Sequence, residues 1–335
     1  MTTQLETPFT PYADGRPHAT RRLEAVDHGI VLKHGDPHDA GGARDVWVYA
    51  HDGRYFMHYD AAGEHAWLCA LATSDDGVIW TKRGTVLELG PPGSPDSASA
   101  SYGTTFFDGS DWHMFYLGTP NVSEPGKVPA FPYQTLKARA TSPGGAWTKQ
   151  PEVMPVGTVS GTFYADTASP GAVVKQGKEY LMFFSAAAHL EGGIKRTLGL
   201  ARTKDLNTAW TVDAQPLLPI EEQIENSSLY FEDSSKLWFL FTNHIGIHPQ
   251  THQEYTDAIW VYWSHDLTRW NPDDKAVVLD TQNCHWSTNI IGLPSVLRID
   301  NRLALYYDGY TDEDFWHMGR DIGLAWLPLP LVAPQ

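Results

Sequence analysis

Three carboxylates stand directly ahead of apolar, strand-like runs. They are Asp45 in GGARDVWVYAHDG, Asp166 in FYADTASPGAVV and Glu225 in IENSSLYFED. Placed together, they cannot all ionise at their ordinary values, because like charges raise at least one. A raised carboxyl donates a proton at neutral pH and an ionised neighbour accepts one, so the set suits general acid and base work. His285, in NCHWSTNIIGLPSVL, opens another run, while the corresponding stretch SASASYGTTFF has only small and aromatic residues, with Asp96 upstream. Arg44 is a cation directly beside Asp45, and Trp47, Tyr102, Tyr164 and Trp286 offer rings near the strand openings. Taken singly, an Asp before a strand is as readily a turn cap, so the argument rests on the set.

Other chemistries lack their residues. There is no GxSxG elbow and no HExxH. His244, His248 and His252 have the spacing of one helical face, but Pro249 interrupts it. The two cysteines, Cys69 and Cys284, form no CxxC and read as buried free thiols. No metal ligand set is assigned, and no cofactor is required.

The elements that must position these residues recur along the chain. Five segments share one hairpin: VYAHDGRYFMHYDA, TFFDGSDWHMFYLG, VVKQGKEYLMFFSA, LYFEDSSKLWFLFTN and VLRIDNRLALYYDG. Asp52-Gly53, Asp108-Gly109 and Gln176-Gly177 supply the turns. Met57, Met114, Met182, Phe239 and Leu305 occupy equivalent positions. After each of the first four hairpins comes a third strand, a turn ending in Trp80, Trp147, Trp210 or Trp270, and a fourth strand. Four antiparallel strands per repeat make a propeller blade, and the repeating Trp is expected to pack between blades. The pattern predicts an all-β, single-domain, five-bladed β-propeller over 1–335, with blades near 28–90, 97–156, 160–219, 222–280 and 284–330. The last copy lacks a clear fourth strand, which HGIVLKHG (His28 to Gly35) would supply. Two long loops, Gly118 to Thr135 and His244 to Tyr255, are expected to shape a binding site. Asp308, Asp312, Glu313 and Asp314 read as a solvated acidic loop.

Composition narrows the classes. Hydrophobic residues make up 42%, enough for a substantial core. The net charge of −16 repels phosphate backbones and anionic membranes, so neither nucleic acid nor a membrane is expected as partner. The N-terminus has no signal-peptide pattern and no run approaches membrane-spanning length, which makes the cytoplasm the expected compartment.

With its Arg44-Asp45 head, RDVWVYAHDGRYFMHYDA resembles the first-blade segment of the five-bladed propeller glycosidases, family 43 and relatives such as family 117. ADTASPGAVVKQGKEYLMFFS and ENSSLYFEDSSKLWFLFTN are similar to their second and third carboxylate segments. The resemblance implies Asp45 as general base, Glu225 as general acid and Asp166 as the residue that orients the acid. It also implies His285 and Arg320 in the funnel, and an axial calcium or other ion as an option. The chain departs in having Val46 where Asp-Pro is common, Thr-Ala-Ser before Pro170, and Asn226-Ser227 after the Glu. The resulting expectation is an exo-acting glycoside hydrolase on a small carbohydrate, inverting, with Asp45 activating water. Two alternatives stand beside it: a non-catalytic sugar-binding propeller, and a glycoside phosphorylase using Arg44, Arg196 and Arg320 for phosphate.

Overall fold

The computed structural model describes residues 14–191, 193–248, 254–287, 290–311 and 318–335. Strands dominate, as the period-two hairpins require, and no helix among the described residues is long and apolar enough to cross a membrane. Antiparallel sheets succeed one another in chain order. The first contains Ala43–His51, Arg54–Ala62, Trp67–Ser74 and Thr81–Thr85. The second contains Ser99–Phe107, Trp112–Thr119, Gln134–Ala140 and Thr148–Lys149. One parallel bridge, Leu68 to Ala100, links them into eight strands.

In the third sheet the inner strand is broken. Thr167–Ser169 and Val173–Gln176 both pair with Glu179–Leu190, which continues to Gly193–Thr203 and Thr211–Val212. At the break, a Cβ on Gly171 would lie 1.7 Å from the Phe183 carbonyl oxygen, so only glycine fits. The fourth sheet has Ile224–Glu232, Leu237–His244, Ala258–Ser264 and Lys275–Asp280.

The last sheet has Ile291–Ile299, Arg302–Gly309 and Asp321–Pro328, and its outermost strand comes from the other end of the chain. Val26–Leu32 pairs antiparallel with Asp321–Pro328, with Ile30 opposite Gly323. This is the pairing anticipated for the HGIVLKHG stretch.

Apolar clusters bind each sheet to the next. Val48, Met57 and Ala72 of the first pack with Leu305's neighbours Ala304 and Tyr306 and with Leu324 of the last. Tyr49, Leu71, Met114 and Leu136 join first to second, and Phe115, Met182 and Phe184 join second to third. Leu181, Leu198 and Leu240 join third to fourth, and Phe239, Val261, Leu305 and Tyr307 join fourth to last. The four repeating tryptophans belong to these seams. Trp80 meets Tyr306 edge-on at 5.8 Å, Trp147 meets His58 at 5.7 Å and Trp210 meets Phe115 at 5.5 Å. Trp270 is buried against third-sheet leucines, so each indole packs on the sheet before its own. Both cysteines are buried and free.

Candidate active site

Near their starts, the inner strands depart from regular pairing. Register shifts fall between Arg44 and Trp47, Ala100 and Gly103, Ile224 and Asn226, and Gly292 and Ser295. The third sheet has its break at Pro170 instead. A bulge re-aims side chains that strict alternation would send to opposite faces. Asp45 shows the effect: its φ is +52°, a left-handed conformation that Asp tolerates better than most residues. Arg44 and Asp45, though adjacent, therefore both line one cavity.

That cavity has a volume of about 410 Å³. Its carboxylates are Asp45 and Asp60 from the first sheet, Glu124 from the loop after the second sheet's second strand, Glu225 from the fourth sheet, and Glu254 beyond it. Arg44 and Arg196 are its guanidinium groups. Arg44 holds Asp45 through Nε to Oδ2 at 3.2 Å and lies over the Trp67 ring at 5.3 Å. Beneath them, the Asp45 backbone N–H donates to Asp308 Oδ2 at 3.0 Å, and Arg320 Nη1 donates to Asp308 Oδ1 at 3.3 Å. Tyr102 N–H donates to Asp60 Oδ1 at 3.1 Å. Asn243 Nδ2 donates to Glu225 Oε2 at 2.9 Å, and the Ser185 hydroxyl holds the Glu225 carbonyl.

The electrostatics follow from burial and crowding. Burial raises Asp45, Arg44 opposes that, and Asp308 and Glu225 add to it; the net direction is upward. Asp60 is driven well above the carboxylate range, by burial first and by Asp45 next. For Arg44, burial works against the charge, but Asp45, Asp308, Glu225 and Asp60 outweigh it and hold the guanidinium protonated. Arg320 is pulled down by burial and by Arg44.

A hairpin from the Gly118–Thr135 loop roofs the cavity. Its strands are Asn121–Ser123 and Val128–Ala130. Trp67 Nε1 donates to the Gly126 carbonyl at 2.9 Å, and the Tyr133 hydroxyl donates to the Pro129 carbonyl at 2.5 Å. Phe131 meets Tyr133 edge-on at 4.8 Å and carries the Arg196 guanidinium 5.6 Å above its ring. Arg196 in turn pairs with Glu254 at 2.7 Å, on the second long loop.

Of the residues singled out in the sequence, Arg44, Asp45, Tyr102, Arg196 and Glu225 line this cavity together. Arg320 lies behind it, paired with Asp308 rather than with Asp321. Asp166 is not among the lining residues. Thr167 and Ser169 are, and alternation turns Asp166 away, where its Oδ2 accepts the His189 N–H at 2.6 Å and contacts Nδ1 at 2.8 Å. Tyr164 packs against Phe163 and Phe184. Trp47 donates to Thr105 Oγ1 at 3.1 Å and lines a narrow adjoining crevice with Tyr102.

His285 and Trp286 precede the inner strand, which starts only at Ile291. The His285 side chain is 78% exposed and held by Asp27, and Trp286 donates to Tyr307 Oη at 2.7 Å over the bare faces of Gly309 and Gly323. His244 is buried under the Glu222 carbonyl, 2.6 Å from its Nδ1, while His252 lies outside the described residues. Asp308 corrects the solvated-loop expectation, being fully buried at the end of a strand; Asp312, Glu313 and Asp314 lie outside the described residues. Among the described residues, one group, Asp36, His38 and Asp39, could gather around a metal, but Lys82 Nζ already sits 2.6 Å from Asp39 Oδ2.

Asp60 and Asp308 were missed, yet the repeat carries their signal. Each lies three residues after its copy's equivalent apolar position, Met57 or Leu305. The same offset gives Leu117 and Ser185, both in the cavity wall. Two copies thus place a carboxylate where the other three place Leu, Ser or Thr.

No protein-family profile and no curated protein matches this chain. Solved structures do. One is a glycoside hydrolase, with TM-score 0.72 and 15% identity over 93% of this chain and 96% of that one. A thermostable family 43 glycoside hydrolase follows at TM-score 0.62 and 11% identity, covering 90% and 99%. A family 117 glycoside hydrolase from Zobellia galactanivorans gives TM-score 0.59 and 15% identity, covering 91% and 90%. The likeness is one of fold, and the fold that this chain shares is that of the β-propeller glycoside hydrolases.

Proposed function

We propose that this protein is a glycoside hydrolase that removes a terminal sugar from a small oligosaccharide or glycoside, working on a propeller of five blades. One observation carries the reading: Asp45 and Glu225, from different sheets, line a single roofed cavity with Arg44 between carboxylates. The cyclic series of apolar seams, last sheet to first included, supports the five-bladed closure. Asp45 is the base that activates water and Glu225 the acid that protonates the leaving oxygen, which inverts the anomeric centre. Asp166, bound to His189 outside the lining, has no part in this scheme. The hairpin pinned by Trp67 over the cavity favours a closed end, hence exo action.

A panel of aryl glycosides and short oligosaccharides, followed by proton NMR of the released sugar, tests the reading. The expected first product has the opposite anomeric configuration to the substrate. Retention would assign a nucleophile instead of a base. Turnover that requires added phosphate would replace hydrolysis by phosphorolysis, and binding without turnover across the panel would leave a sugar-binding propeller.

A further inference from the structure

We infer that Asp45 and Asp60 share one proton, and that Asp60 is a positioning residue that aims the Asp45 carboxylate into the cavity. Asp60 lies directly opposite Arg44 in the pairing of Ala43–His51 with Arg54–Ala62. Regular alternation would place the next side chain, Asp45, on the far face. The bulge and the positive φ at Asp45 bring it round to the Asp60 side. The two carboxyl groups then line the same cavity wall, close enough for a hydrogen bond between them. Two carboxyls can hydrogen-bond one another only if one holds a proton.

The surroundings fix which one. Tyr102 N–H and the Ser101 hydroxyl hold Asp60 from the Ser99–Phe107 strand. Cys69, opposite Asp60 on Trp67–Ser74, is a neutral thiol because burial pushes it up. Tyr102 is a neutral phenol for the same reason. Arg44 lies nearest Asp45 and holds it by Nε. Asp308 with Arg320 lies beneath Asp45, and Glu225 faces Asp45 from the fourth sheet. Asp60 is thus the more confined partner and Asp45 the one with a cation beside it. Burial, with Asp45 next, pushes Asp60 well above the carboxylate range, in agreement with this assignment. Asp60 O–H donates to Asp45, and the pair carries a single negative charge. The catalytic consequence, a base held in one orientation, rests on the glycosidase reading; the shared proton does not.

Carboxyl carbon NMR of the full chain labelled with aspartate γ-carbon-13, titrated from pH 4 to 10, is the test. Asp60→Asn identifies the Asp60 resonance by its disappearance. In the wild type that resonance should titrate well above the exposed aspartates, and Asp60→Asn, which replaces the O–H donor to the Asp45 carboxylate with a neutral amide, should leave the Asp45 transition in place or raise it. Asp45→Asn, which serves equally if Asp60→Asn fails to fold, should lower the Asp60 transition. An Asp60 resonance that titrates with the exposed aspartates overturns the proposal, and so does one unmoved by Asp45→Asn. No substrate is needed, so failure here leaves the glycosidase reading standing, and failure to find turnover leaves the pair standing.

Discussion

The molecule buries carboxylates in two quite different ways. Glu222, in the turn before the fourth sheet, accepts Lys275 Nζ on both oxygens, at 2.8 and 2.6 Å, and the Tyr262 hydroxyl at 2.5 Å. It has its own cation and a full set of donors. Asp45 and Asp60 crowd each other instead, with Asp308 and Glu225 close by and Arg44 answering to all four. The first arrangement satisfies every group and holds a turn in place. The second keeps like charges together in a cavity wall, an arrangement more suited to chemistry than to stability.

The contrast can be broken from either side. The largest effect is expected in activity: Asp45→Asn or Glu225→Gln should lower turnover by about 10²–10⁴-fold, the usual share of a general acid or base. Neither should lower the melting temperature, because each removes a crowded charge. A loss of fold stability matching the loss of rate would make the cavity carboxylates structural, like Glu222. Lys275→Met probes the other cluster. It strands a buried carboxylate and should destabilise the fold by about 3–5 kcal/mol, read by denaturant unfolding. An unchanged midpoint would mean that Glu222 is not held by its lysine.

Asp60→Asn gives a smaller effect with a definite sign. The folded carboxyl titrates above its unfolded value, so its stabilising contribution is full below the ordinary aspartate pKa and is lost as pH rises through the folded value. The variant should therefore gain melting temperature over the wild type at pH 8 and show little difference near pH 4. A gain confined to low pH would reverse the assignment. Smallest is Trp67→Phe, which keeps a ring under Arg44 but removes the donor to Gly126, a bond of about 1 kcal/mol. A looser roof should raise KM a few-fold with kcat nearly unchanged. A fall in kcat alone would put Trp67 in the chemistry rather than in the roof.

The hairpins were legible because turn residues and alternation are local properties. Asp52 and Gly53 both take positive φ in their turn, as the pair implied. Asp45 and Glu225 were legible because each heads an inner strand. Asp166 heads one too, yet strand alternation turns it outward, and the phase of one short strand cannot be read from its composition. His285 and Trp286 were placed too near the funnel because the inner strand begins several residues later. Asp60 was hidden in RYFMHYDAA, which reads as an ordinary core strand. What brings it to Asp45 is a bulge in the partner strand, a product of pairing that neither sequence shows alone.

The pairing of Val26–Leu32 with Asp321–Pro328 has a consequence in time. On the ribosome the first of these strands emerges nearly three hundred residues before its partner. At ~5–20 residues per second, it waits roughly 15–60 s without the neighbour that completes its sheet. Through that interval the nascent chain carries an open strand edge, the kind of surface that joins wrongly with another chain. The crowded cavity shares this schedule, since Arg320, which holds Asp308 under Asp45, comes from the same late stretch. The order of synthesis therefore makes the site one of the last parts of the molecule to be assembled.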